Sequence, residues 1–401
     1  MFAISVAGQA PGFDLSNYGV RIEPDKRLIV VLSALEVATA KNAAGADEKS
    51  INTALSVTGA KFREQVLSDN ASLDPDLRRR ISAFVAQYKK SHPRLSDADV
   101  IAPFISMAYT LSPVPELADP VVTGDLPGNL LDVLDFAPLA REFYRRSTMG
   151  AKLDAYVKAY KVEADSVLRS SAREMVSELL DYLHTRPILV FTENIKVETQ
   201  KTKKTSLQKV ERRDHERRFF LVPEKLAAKN NINFLNIRDD YYVIVPPDTD
   251  LSLSDARRAF LQFVIDPLVI NNAREITAMR SWAKPILDDL RAKDPGITQD
   301  AFLAVSHSLV AAVDIRQSEF TQVRLATNAA RTKIAGLKTD AEKRAVSADL
   351  EKFKQALSDE STLRLYEDYQ KGSVLSLYFA EQLKGMEDSG FDVASSLREM
   401  M

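Results

Sequence analysis

At 401 residues, with 45% hydrophobic and 27% charged side chains, the chain can bury a large core and does not have a disordered composition. Its formal net charge of −2 supplies no chain-wide field for nucleic acid or anionic lipid. With no cysteine, disulfides, thiolate nucleophiles, Cys-ligated zinc and iron–sulfur clusters are excluded, while the redox compartment stays open.

No apolar run approaches the ~18–20 residues that span a bilayer. The opening "MFAISVAGQAPGFD" offers Ser5-Val6-Ala7 and Gly8-Gln9-Ala10 as small-x-small sites. Residues 1–12 thus read as the remnant of a secretory signal peptide, and export to a periplasmic or extracellular space is the expectation. Next, "VRIEPDKRLIVVLSALEVATAK" predicts a strand at Val20–Ile22 and a helix starting at Pro24 and Asp25. Leu28, Val31, Leu32, Leu35 and Val37 are its expected buried side. Residues 40–58, rich in Ala, Asn, Gly and Ser, read as a loop.

Helices follow in "AKFREQVLSD", "DPDLRRRISAFVAQYKK" and "SDADVIAPFISMAYTL", the second opening on an Asp74 cap and Pro75. The proline-rich stretch "SPVPELADPVVTGDLPGN" predicts a surface connection. Leu130–Leu183 is helical again, with one long stretch from Ala151 that stops before Pro187. The character then changes. "PILVFTENIKVET", "RRFFLVP", "INFLNI" and "YYVIVPP" predict strands of one small sheet, and everything after Ser252 reads as helix. This order predicts an α+β fold, predominantly helical, with one small and mostly antiparallel sheet.

Chemistry is sparse. The segment 201–218 carries eight Lys and Arg against three acids and reads as a solvated hairpin, with no interleaved aromatics to stack on bases; no nucleic acid is expected. The four histidines, His92, His184, His215 and His307, include no i, i+4 pair of the kind a helix offers to zinc. His307, beside Val305, Leu309 and Val310, reads as a core histidine, and His184 as a helix-end residue. Asp239-Asp240 reads as turn chemistry. Phosphate-loop, dinucleotide and serine-hydrolase motifs are absent, and no cofactor is expected.

Several stretches together resemble a family of bacterial proteins related to gluzincin-type zinc metallopeptidases, the HExxH class. They are "EPDKRLIVVLSALEVA", "LDFAPLAREFYRRSTMGAKLDAYVKAY", "RRFFLVPEKLAAKNNINFLNIRDDYYVIVPP", "DARRAFLQFVIDPLV", "AVSHSLVAAVDIR" and "YQKGSVLSLYFAEQL". The resemblance implies a zincin-like α+β domain over residues 13–290, with a helical region 291–401 on the same core. It sets Leu261, Gln262 and Ile265 at the positions of the first ligand, general base and second ligand, and the third ligand near His307. Leucine and isoleucine have no lone pair for zinc, and glutamine takes no proton from a metal-bound water. Asp266-Pro267 is expected to bend or end the helix.

The resulting expectation is a non-catalytic, metallopeptidase-like protein with no metal. A peptide or protein partner would lie along the strand Tyr241, Tyr242, Val243, Ile244 and Val245 by strand addition. Two alternatives stay open: a hydrolase using His307 with acids from neighbouring helices, and a structural protein working through its C-terminal helices.

Overall fold

The computed structural model describes residues 13–41, 47–121, 128–202, 205–229, 231–253, 255–387, 390 and 392–401. Residues 1–12, read above as an export remnant, lie outside them. The chain divides into two compact units, Met1–Arg173 with Phe191–Ala256, and Glu174–Val190 with Arg257–Met401. The boundary therefore falls at the start of the helix carrying Leu261, where the sequence reading kept residues 13–290 together.

In the first unit, β1 (Val20–Ile22) leads into α1 (Lys26–Glu36), whose N-cap Asp25 accepts from the Arg27 N–H. Every residue from Leu28 to Glu36 is buried, so the one-sided face expected from the sequence is too narrow. The run "LIVVLSAL" carries no charge, and a helix apolar all round belongs inside a core. The Arg27 guanidinium donates to the carbonyls of Tyr109 and Leu111, at 3.3 and 3.1 Å.

The segment expected as a loop instead pairs, β2 (Thr39–Lys41) lying antiparallel to β3 (Asp47–Lys49). Buried Glu36 holds this ribbon to the helices through ion pairs with Lys49 and Arg63. That long-range contact has no local sequence signature.

Helices α2 (Val57–Asp69), α3 (Pro75–Ser91) and α4 (Asp97–Thr110) begin at the caps Ser56, Asp74 and Ser96. Then come α5 (Gly128–Leu134), α6 (Ala137–Arg146), α7 (Met149–Ser166) and α8 (Leu168–Leu183). The long stretch read from Ala151 as one helix is thus interrupted at Val167. Aromatic edges lock these helices, Phe62 meeting Tyr156 and Tyr160 at 5.0 and 5.2 Å.

Strands β4 (Val190–Thr202) and β5 (Thr205–Glu216) form a two-stranded ribbon separate from the main sheet, so the strand expected in "PILVFTENIKVET" is not part of that sheet, and the basic segment 201–218, read as a hairpin by itself, supplies mostly β5. That sheet combines β1, β6 (Arg218–Pro223), β8 (Asp240–Val245) and β7 (Asn233–Ile237), in the order β1-β6-β8-β7. β1 and β6 are parallel, β6 and β8 are parallel, and only β7 runs antiparallel to β8. The mostly antiparallel expectation is corrected. The link between β6 and β8 contains a buried turn and β7 itself, which is enough chain for a parallel return.

The second unit is helical: the end of α8, then α9 (Ala256–Asn271), α10 (Ala273–Lys293), α11 (Ala301–Gly336), α12 (Asp340–Gln370), α13 (Ser376–Met386) and α14 (Val393–Met400). α9 runs through Pro267 for a further turn, so Asp266-Pro267 does not end it. α11 packs against α10, α12 and α13. No helix among the described residues is long and apolar enough to cross a membrane.

Gly59 sits where α2 touches the chain after β6, and a Cβ there would collide with the Lys225 carbonyl oxygen. Gly385 in α13 has open space around it. Urea unfolding is expected to show Gly59→Ala destabilised by about 1–3 kcal/mol, as for overpacked sites, and Gly385→Ala stabilised by up to about 1 kcal/mol. Equal effects at both positions would contradict this close approach.

Candidate functional site

The positions that the resemblance marks for metal chemistry lie on α9 and α11 of the second unit. Leu261 and Ile265 are 0% exposed, while His307 on α11 is exposed, which corrects its reading as a core histidine. Packing around the His307 ring lowers its pKa, against the pull of the Asp266 carboxylate. Gln262 is half-buried. Leu261 and Ile265 thus face the interior and His307 faces solvent, and these residues line neither cavity described below.

What joins α9 to α11 is charge. Asp314 accepts from Arg257 Nε and Arg258 Nε, both at 3.0 Å, and Arg258 also forks onto Asp368 of α12 at 2.8 and 3.0 Å. The Ser306 hydroxyl donates to Asp266 one turn before the end of α9. A helix clamped this way is a strut, since breaking one member leaves the remaining charges buried and unpaired.

Other sequence-singled residues also have structural partners. His92 ends α3 and meets the Tyr88 carbonyl through Nδ1 at 3.0 Å. His184 follows α8 with φ +50°, as a helix-end residue. His215 lies between Asp239 and Glu193, at 3.2 and 3.3 Å, its ring stacked on Phe191 at 4.9 Å. Asp239-Asp240 does lie at the β7–β8 turn, and Asp240 is forked by Arg218. Among the described residues, no group of three or more His, Asp or Glu side chains is arranged to hold a metal ion.

Strand β8, named above for peptide addition at Tyr241–Val245, is paired on both sides, to β6 and to β7. Its backbone hydrogen bonds are already made. The outer edge of β7 has no strand partner among the described residues, and Phe234 and Ile237 there are 37% and 36% exposed.

A second constellation, missed by the sequence reading, lies in the first unit at the turn after β6. Glu224 is 0% exposed. Its Oε1 accepts from the Tyr160 hydroxyl at 2.8 Å and the Leu226 N–H at 2.9 Å, and Oε2 has no hydrogen-bond partner. Burial pushes its pKa up to about 7, although both donors and Lys225 pull it down. The Lys225 ammonium pairs with Glu163 Oε2 at 2.6 Å and lies 5.8 and 5.2 Å from the ring centres of Phe62 and Tyr160.

Beside this pair is a groove of about 280 Å³. Lys61 and Gln65 of α2 face Ala155 and Ala159 of α7, with Phe62 and Tyr156 also lining it and Lys225 and Glu163 bordering it. A second cavity, of about 210 Å³, lies in the second unit beside Tyr182, Phe320, Leu383 and Glu387. "VPEKLAAK" gives one local hint, adjacent acid and base after a strand. Its partners lie over 60 residues earlier, beyond any periodicity argument.

The fold is thus α+β and mostly helical, with small sheets. Comparison of the chain with protein-family models, curated proteins and solved structures gave no match.

Two outcomes follow from this geometry. Asp314→Ala is expected to destabilise the second unit by about 3–5 kcal/mol, the cost of stranding buried partners, and hydrogen exchange along α9 reads it. A loss below 1 kcal/mol would remove the strut argument.

For Glu224 the folded pKa is raised from 4.5 to about 7. Folding therefore takes up a proton between those values, so stability is fullest below pH 4.5 and falls as pH rises through 7. The decline amounts to about 3 kcal/mol for that shift. Glu224→Gln is expected to flatten this decline, measured as unfolding midpoints from pH 5 to 8. An unchanged slope would show that Glu224 does not bind the proton.

Proposed function

We propose that this chain is a non-catalytic, exported binding protein of metallopeptidase-like ancestry that takes an extended peptide by strand addition. The observation that carries the non-catalytic half is the complete burial of Leu261 and Ile265 on a helix fixed by Asp314. Neither side chain can ligate a cation, and Gln262 is no base for a bound water. The binding half moves from β8 to the outer edge of β7, because an added strand needs unpaired N–H and C=O groups. Phe234 and Ile237 would supply the side-chain contacts.

The second reading, an interaction protein acting through its C-terminal helices, draws on exposed apolar side chains along α11 and α12. Leu325, Leu363 and Tyr366 are 60%, 59% and 49% exposed. These helices are not a detachable tail: Leu357, Leu365, Phe379 and Leu383 are buried, and Asp368 anchors Arg258. Deleting residues 338–401 would therefore disrupt the second unit.

Because the chain lacks cysteine, a single Asn236→Cys on β7 can carry a fluorophore. Titration with strand-prone peptides is expected to change its emission. Peptides N-methylated at alternate amides, which cannot complete a ladder, are expected to bind at least about tenfold more weakly, the loss of one or two hydrogen bonds. Indifference to N-methylation would rule out strand addition. Stoichiometric zinc together with chelator-sensitive peptide cleavage would overturn the non-catalytic reading and favour a hydrolase with unconventional ligands.

A further inference from the structure

We infer that the outer part of the α11–α12 hairpin docks on a second copy of this chain, the basic side of α11 in one copy lying against an acidic stripe of α12 in the other. This gives a partner to the reading of the C-terminal helices as an interaction surface, and rests on that reading. Both helices are thinly covered. Beyond Glu319 only Ala330 of α11 is buried, and nothing of α12 is buried before Leu357. The segments 320–336 and 340–356 therefore run side by side for about 25 Å, at ~1.5 Å per residue, with most of their surface exposed.

Charge is sorted between the two helices. From Phe320 to Thr339 the chain carries Arg324, Arg331, Lys333 and Lys338 and no acid. Arg324 lies over Phe320 beside the second cavity, so the other three make up the outer basic side. Arg316, earlier on the same helix, pairs with Glu319 and Glu387. Arg331, Lys333 and Lys338 are exposed and reach no ion-pair partner among the described residues.

α12 supplies the complement. Asp349, Phe353, Ala356, Glu360, Leu363 and Glu367 recur at spacings of three and four residues, which sets them along one side of the helix. All six are exposed, Phe353 and Leu363 by 43% and 59%, and the three acids have no ion-pair partner among the described residues. Within one copy these acids and the cations of α11 do not pair. Arg331 and Lys338 are seven residues apart, as are Glu360 and Glu367. Two cations of one copy can therefore meet two acids of another across about two helical turns. Phe353 and Leu363 then cover the aliphatic stems of the basic side chains.

The two patches differ, so the contact is head to tail rather than two-fold, and each copy offers the next its basic side or its acidic stripe. One helix side against another is a small contact made largely by exposed charges, so the association is weak and salt-sensitive. A foreign acidic protein or an anionic membrane would match the basic side alone and leave the α12 stripe uncovered.

The test is sedimentation of the full chain from about 5 to about 500 μM, the range of a weak contact. Its mass is expected to grow with concentration at about 20 mM salt and to fall to the monomer at about 500 mM. Arg331→Glu with Lys338→Glu, and separately Asp349→Lys with Glu360→Lys, are each expected to weaken association at least about tenfold, because like charges then face each other. An equimolar mixture of the two double variants is expected to recover at least a dimer, since each keeps the half that the other lost. That recovery also shows both to be folded. A wild-type chain that stays monomeric throughout, whether or not it binds anionic vesicles through Arg331, overturns the self-docking and leaves the C-terminal helices to another partner. Association that neither double variant weakens overturns the reading of those helices as an interaction surface as well. A mixture that stays monomeric, from variants with the circular dichroism of the wild type, overturns the head-to-tail pairing.

Discussion

In the first unit, a carboxyl group sealed from water decides how sheet and helices meet. Glu224 follows β6 directly, takes the Leu226 N–H to close its own turn, and takes the Tyr160 hydroxyl from the middle of α7. Its neighbour Lys225 carries the same turn to Glu163, one helical turn further along α7, and its carbonyl lies against Gly59 of α2. Three elements thus converge on two consecutive residues. Burying such a carboxyl is costly unless it is hydrogen-bonded or protonated, and here both remedies are in play. The groove exists because this turn fills the end of the α2–α7 interface while two alanines leave its flank open.

The second unit solves a similar problem differently. α9 carries an apolar run and two adjacent arginines, and the arginines are matched by Asp314 and Asp368 on two different helices. Buried ion pairs of this kind add little net stability compared with apolar packing, but removing one partner is expensive. They therefore fix which helices lie together. A helix held on these terms, with Leu261 and Ile265 wholly inside, has a packing role regardless of its ancestry.

Legibility followed the range of the interaction. The helix starts at Asp25 and Asp74 were readable because their capping bonds close within two residues. The parallel pairing of β1 with β6 was not, since nearly two hundred residues of chain separate them. The β2–β3 ribbon was hidden for the same reason: its residues have weak strand preference, and the Glu36 ion pairs that hold it come from α1 and α2. His307 was misplaced because a long helix with apolar neighbours on several sides does not announce which face is inward. The candidate site was nearly invisible, its acid, base and rings coming from α2, α7 and the turn after β6.

By itself the sequence determined that the chain is mostly helical with a small amount of sheet, that cysteine chemistry is excluded, and that Leu261, Gln262 and Ile265 cannot make a zinc site. These conclusions rest on side-chain chemistry and on periodicity, both local properties. Tertiary structure alone decided that β8 is an inner strand and β7 an edge, that α1 is buried on every side, and that Glu224 and Glu163 share one aromatic-lined corner. Burial and pairing depend on what the rest of the chain brings alongside, and no window of neighbouring residues contains that information.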